Sequence, residues 1–145
     1  MNPIYPISIS IGIYFLLTIL GIRKSPVFPK INSVHVLFRE RFLSGRTNGL
    51  TGTYRNILEV VLTDQELWIR TFLPFSGLAV LFGAVHKVQV SEIRGIEIRG
   101  TETTIYFTND QLKEVHFSIT FNKQKFFIQT LQQVNPAIRI LEINR

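Results

Sequence analysis

The chain has 145 residues, no cysteine and a formal charge of +6, with an isoelectric point near 10.0. That length suits one domain plus an appendage, and the missing thiols exclude disulfides, cysteine nucleophiles and cysteine-based metal sites. A surplus of this size ordinarily raises nucleic acid as a partner. Its distribution argues otherwise: between residues 23 and 55, Arg23, Lys24, Lys30, Arg39, Arg41, Arg46 and Arg55 stand against one acid, Glu40, and the rest of the chain is balanced.

Ile4 to Ile22, "IYPISISIGIYFLLTILGI", carries no charge, close to the roughly 20 residues with which a helix crosses a bilayer core. Pro6 sits near the outer end, where a helix tolerates it best. Ser8, Ser10, Gly12, Thr18 and Gly21 suit helix contacts within a span, and Tyr5 falls where an interfacial aromatic would. A cleaved signal peptide needs a basic n-region and a small-residue cleavage site; "MNPIYP" has no basic side chain and "TILGIRKS" no such site. Residues 1–24 therefore read as a transmembrane anchor of the cell membrane. No basic residue precedes it and several follow it, which predicts the N-terminus outside and the remainder in the cytoplasm.

Residues 25–53 read as a basic juxtamembrane linker. "SPVFPK" carries two prolines, and "SGRTNGLTG" contains Asn48-Gly49, the strongest hairpin signal in the chain. Between them "SVHVLFRERFL" fits a short helix or an amphipathic strand equally well. Arg23, Lys24, Lys30, Arg39, Arg41 and Arg46 are candidate membrane-surface contacts, each attracted to anionic lipid by about 1 kcal/mol when near the surface. The alternative is that they only fix the topology of the span.

From residue 54 the period becomes two, the signal of strands. Leu58, Val60 and Leu62 share a face in "NILEVVLT", "TDQE" turns the chain, and in "LWIRT" Leu67 and Ile69 oppose Trp68 and Arg70. "KVQVSEI" sets Val88 and Val90 against Lys87 and Gln89. "IEIRG" and "TIYFT" follow, with Ile96 and Ile98, then Ile105 and Phe107, on the apolar side. "KEVHFSI" alternates most cleanly, with Val115, Phe117 and Ile119 facing one way. The spacing of Phe127, Leu131 and Val134 then predicts a helix, begun by Thr120 or Asn122 as cap and stopped by Pro136. Residues 136–145 form a short tail with no clear signal, a strand being one reading of it.

Between the second and third of these strands, Thr71 to Val85 lacks charge. As a helix it would span only about 22 Å, short of a bilayer core, and Pro74, Gly77 and Gly83 interrupt it. Two readings stand. The run packs into the domain's own core, or Phe72, Leu73, Phe75, Leu78, Leu81 and Phe82 form an apolar loop that docks on the inner leaflet.

The strand succession closed by one amphipathic helix predicts an α+β, mainly β, fold: a partly open antiparallel barrel or sheet plugged by its C-terminal helix. With its "LTDQELWI" hairpin, its "KVQVSEIRGIEI" strand and a final helix bearing Phe126 and Leu131, residues 54–135 resemble bacterial PH-like (pleckstrin-homology and GRAM-like) domains. That resemblance implies a module that binds lipids, peptides or proteins and does not catalyse. Phosphoinositide-binding members carry basic residues around the first hairpin loop, whereas "TDQE" is acidic.

No catalytic, cofactor or metal motif is present. Glu92, Glu97 and Glu102 are dispersed, His35, His86 and His116 lack ligand spacing, and "GLTGTY" precedes a strand rather than a helix N-terminus. Tyr106, Phe107 and Phe117 imitate base-stacking platforms, but two of them fall on the core face of an electrically neutral sheet. Enzyme and nucleic-acid binder are thus the weakest readings. The strongest is a single-pass membrane protein whose cytoplasmic PH-like module engages a neighbouring membrane protein, without cofactor. The alternative is direct binding to an anionic lipid surface through the basic linker and the apolar loop.

Overall fold

The computed structural model describes residues 12, 13, 15, 16, 35–47, 53–71, 86–108 and 114–143. Eight strands form one open sheet: β1 (Val36–Thr47), β2 (Thr53–Thr63), β3 (Glu66–Thr71), β4 (His86–Gln89), β5 (Ile93–Arg99), β6 (Glu102–Thr108), β7 (Glu114–Thr120) and β8 (Arg139–Glu142). The 3-10 turn Val90–Glu92 joins β4 to β5, and helix α1 (Gln124–Val134) joins β7 to β8. The sheet order is β4-β3-β2-β1-β7-β6-β5-β8. All pairs are antiparallel except β5 with β8. The mainly β fold with a closing helix is therefore as the periodicity predicts.

The sheet curls over one core. His86 on β4 and Phe107 on β6 lie five strand positions apart, more than 20 Å in a flat sheet at about 4.8 Å per strand. Their rings are 5.8 Å apart. Leu58, Val60, Leu62, Leu67 and Ile69 from one half meet Ile96, Ile105, Phe117 and Ile119 from the other in one buried cluster. These are the inward faces expected from the alternation. Helix α1 adds Phe127 and Leu131 to the same cluster, with Phe127 stacked on Phe121 at 4.4 Å and edge-on to Phe38 at 5.2 Å.

One sequence expectation is corrected. Residues 36–47 are not part of a linker; they are the central strand of the sheet, paired with β2 along most of its length and with β7 through Ser44–Thr47. Phe38 and Leu43 of this strand are core residues. Its inward alternation breaks where Arg41 and Phe42 are both exposed, because Phe42 sits at a bulge with φ of 59°. Within the expected tail, Arg139–Glu142 forms the strand that is one reading of it, hydrogen-bonded to the edge of β5. With β1 in place, "TDQE" is the second hairpin turn and not the first.

Gly45 is where β1 passes from one half of the sheet to the other. A Cβ at this position would lie 2.7 Å from the Ser118 carbonyl oxygen and 2.8 Å from a Leu58 methyl. Only glycine permits that approach.

Of the expected span at residues 4–22, only Gly12, Ile13, Phe15 and Leu16 are described; they are helical and exposed. Among the described residues no helix is long and apolar enough to cross a membrane. The apolar run from Phe72 to Val85 lies outside the described residues, as do Arg23, Lys24 and Lys30.

Candidate functional site

Among the described residues, the densest grouping of charge lies on the outer face of β1, β2 and β3. Alternation puts Arg39 and Arg41 outward on β1, Glu59 outward on β2 and Arg70 outward on β3. The register aligns Arg41, Glu59 and Arg70 in one row across the three strands, with Arg39 one outward position along. Arg39 and Arg41 each donate from Nε to Glu59 Oε1 at 2.7 Å, and Arg70 donates from Nε to Oε2 at 2.7 Å. Thus one carboxylate gathers three guanidiniums, which leaves a local surplus of two positive charges.

Burial differs sharply within the group. The Glu59 and Arg70 side chains are 3% and 7% exposed, whereas Arg39 and Arg41 are 42% and 54% exposed. Burial alone would push the Glu59 carboxyl upward, but the hydrogen bonds from Arg39, Arg41 and Arg70 outweigh it and hold the pKa at about 2. Glu59 is therefore a fixed anion at any ordinary pH.

The same face continues onto β3 and β4. In the next row Arg39, Val61, Trp68 and Lys87 are consecutive cross-strand partners. Lys87 Nζ lies 5.1 Å from the centre of the Trp68 ring and 2.7 Å from Glu66 Oε1, while Trp68 Nε1 donates to Glu66 Oε2 at 3.0 Å. Glu66 raises its pKa by burial but is held below the ordinary range by Lys87, Trp68 and Gln89. Trp68, on the face opposite Leu67 and Ile69, is buried too, as is Val61.

Arg46, the third described member of the expected membrane-surface set, does not join this group. It belongs to the stretch of β1 that pairs with β7, and its guanidinium bonds Glu102 Oε1 at 2.9 Å in an exposed pair. The basic residues of residues 36–47 are thus part of a folded sheet, two of them converging on one buried anion and one standing apart.

Other polar groups are dispersed. On the outer face of β5 and β6, Tyr106 donates to Glu97 Oε2 at 3.0 Å, and Glu97 also pairs with Arg99. Partial burial and the Glu97 charge raise the Tyr106 pKa. His116 lies beside Tyr106, His35 is 3.8 Å from Asp64, and His86 is wedged edge-on to Phe107 and Phe117. Burial lowers the His86 pKa, and its Nε2 is buried without a hydrogen-bond partner among the described residues. Among the described residues no three histidine, aspartate or glutamate side chains converge as metal ligands would. An open cleft of about 460 Å³ lies between the β2–β3 turn and the C-terminal end of α1, bordered by Asp64, Gln89, Ser91 and Asn135.

Sequence reasoning missed Glu59 and Arg70. The signal was available: a lone carboxylate in the otherwise apolar "ILEVVL", and a lone cation closing "LWIR", demand partners when both faces of a strand are covered. In comparison with known protein families and with curated proteins, no family and no protein matches the chain.

Proposed function

We propose that the chain is a single-pass protein of the cell membrane, N-terminus outside, that presents a PH-like module to the cytoplasm and works by non-catalytic interaction with a neighbouring membrane protein. The observation that carries this reading is the uncharged stretch Ile4–Ile22 followed at once by all of the chain's net positive charge. The antiparallel order β4-β3-β2-β1-β7-β6-β5 followed by α1 is in keeping with a PH-like architecture. Two buried carboxylates favour binding over chemistry, because both are committed to the fold. Glu59 holds three arginines, and Glu40 accepts hydrogen bonds from the backbone N–H groups of Asn122 and Lys123. A tethered module meets its membrane neighbours at high effective concentration, which favours a protein target.

The second reading, an anionic lipid surface as the target, is favoured by the half-exposed Arg39 and Arg41. The test is fractionation of cells that express the full chain, followed by an alkaline carbonate wash. The protein is expected to stay in the membrane pellet, and to stay there when Arg39, Arg41 and Arg46 are neutralised together. Release of the wild-type chain by carbonate would overturn the anchor. Photo-crosslinking from β-sheet positions in the intact membrane is expected to give a discrete protein adduct; lipid adducts alone would favour the second reading.

A further inference from the structure

We infer that the outward ends of Arg39 and Arg41, held side by side by Glu59, form a binding site for a phosphate-class oxyanion on the outer face of the sheet. This goes beyond the membrane reading and does not rest on it. Satisfying one buried carboxylate needs one cation, and Arg70, itself buried against Oε2 at 2.7 Å, supplies it. Arg39 and Arg41 are therefore surplus to the neutralisation of Glu59. Two like charges are nevertheless brought to the same Oε1 atom, each at 2.7 Å.

Each guanidinium has five N–H donors. Nε is spent on Glu59, and the η nitrogens of Arg39 and Arg41 have no acceptor among the described residues. Planar guanidinium forks suit the oxygens of phosphate in paired, charge-assisted bonds. The two surplus positive charges match a phosphate dianion. Nearby, Glu66 does not oppose it, since Lys87 neutralises that carboxylate at 2.7 Å. Because Glu59 fixes both arginines before the ligand arrives, less side-chain freedom is lost on binding. The site lies in mid-strand, away from the acidic β2–β3 turn. A phospholipid headgroup and a soluble phosphate share the chemistry that it recognises.

Inorganic phosphate titrated into the full chain in zwitterionic detergent, at constant ionic strength, is expected to saturate one site. Arg39→Gln with Arg41→Gln should weaken it at least about tenfold, the equivalent of one charge-assisted hydrogen bond. Should that variant fail to fold, Arg39→Lys with Arg41→Lys keeps the charge but loses the fork, and should weaken binding similarly. Arg46→Gln should leave the affinity unchanged. Absence of saturable binding, unchanged affinity in the folded double variants, or equal weakening by Arg46→Gln would each overturn the site. In a second arm, the ¹⁵N signals of the Arg39 and Arg41 side chains are followed in nanodiscs. A shift when phosphatidic acid joins phosphatidylcholine assigns the site to a lipid headgroup, and a shift only with inorganic phosphate assigns it to a soluble ligand. A shift with neither overturns it.

Discussion

Arg70 reaches across from β3 to Glu59 on β2, Nε to Oε2 at 2.7 Å, with the two side chains 7% and 3% exposed. This is an ion pair inside the fold, and its two ends are not equivalent. Glu59 answers to three cations, and its removal strands the buried one, Arg70. Arg70 answers to Glu59 from a buried position, whereas Arg39 and Arg41 can turn to water. Breaking a buried pair by deleting one partner costs about 3–5 kcal/mol, while exposed pairs contribute about 0–1 kcal/mol. Urea unfolding should therefore rank Glu59→Ala and Arg70→Ala as severe, and Arg39→Ala and Arg41→Ala as mild. Equal costs for all four would mean that the carboxylate is not the organising centre.

How far the fold can be read from the sequence depends on how local its causes are. The alternation of Val115, Phe117 and Ile119 is self-contained, and β7 forms where it predicts. β1 is hidden by its own bulge: with an extra residue at Phe42, the core residues Phe38 and Leu43 fall five apart, an odd spacing that breaks the period of two. The prolines of "SPVFPK" and the turn formers of "SGRTNGLTG" on either side then make the stretch read as a linker. Glu59 was visible as an anomaly in an apolar strand, but Arg39 and Arg41 lie 20 and 18 residues away from it. Their meeting is a product of sheet register, which no local pattern encodes.

Register also supplies the cap of α1. Neither Thr120 nor Asn122 caps the helix; Lys123 occupies the cap position without a side-chain bond. Glu40 does so instead from the buried face of β1, accepting from the Asn122 N–H at 3.2 Å and the Lys123 N–H at 3.3 Å. A carboxylate at a helix N-terminus is stabilising, and hydrogen bonds to charged groups contribute about 1.5–3 kcal/mol. Glu40→Ala should lower stability by about that amount and speed amide exchange at Asn122 and Lys123 more than in β5 or β6. Uniform acceleration across the sheet would instead mean that Glu40 acts on the whole core.

Acid should weaken the fold in two stages. Burial depresses the His86 pKa below its ordinary value of 6.5, so between that value and the lower folded one the unfolded chain binds more protons. Stability is then full above about pH 6.5 and declines as pH falls beneath it. Glu59 follows the same sign lower down, titrating at about 2 in the fold against 4.5 when unperturbed; its contribution is complete above about pH 4.5 and lost as pH falls toward 2. Urea midpoints should thus drop from pH 7.5 to 5.5, and again from 4.5 to 3. His86→Leu should flatten the first drop and leave the second. A first drop unchanged in that variant would assign it to another group.

Gly45 gives the sharpest steric prediction. The atom nearest an added Cβ is the backbone oxygen of Ser118 at 2.7 Å, which cannot rotate away as a side chain would. Ser118 pairs with Arg46 in the short ladder that joins β1 to β7. Relief of the clash must therefore open that ladder, the seam between the two halves of the sheet. Overpacking ordinarily costs about 1–3 kcal/mol, occasionally more, and here the strain falls on the seam rather than on a yielding side chain. Gly45→Ala should lower stability by at least that range and deprotect the amides of Ser44–Thr47 and Phe117–Thr120 first. Gly100→Ala meets no atom within 4 Å and suffers only its φ of +59°, a cost of about 1 kcal/mol. If the two variants prove equally stable, the close approach of β1 to β7 is not what holds the curled sheet together.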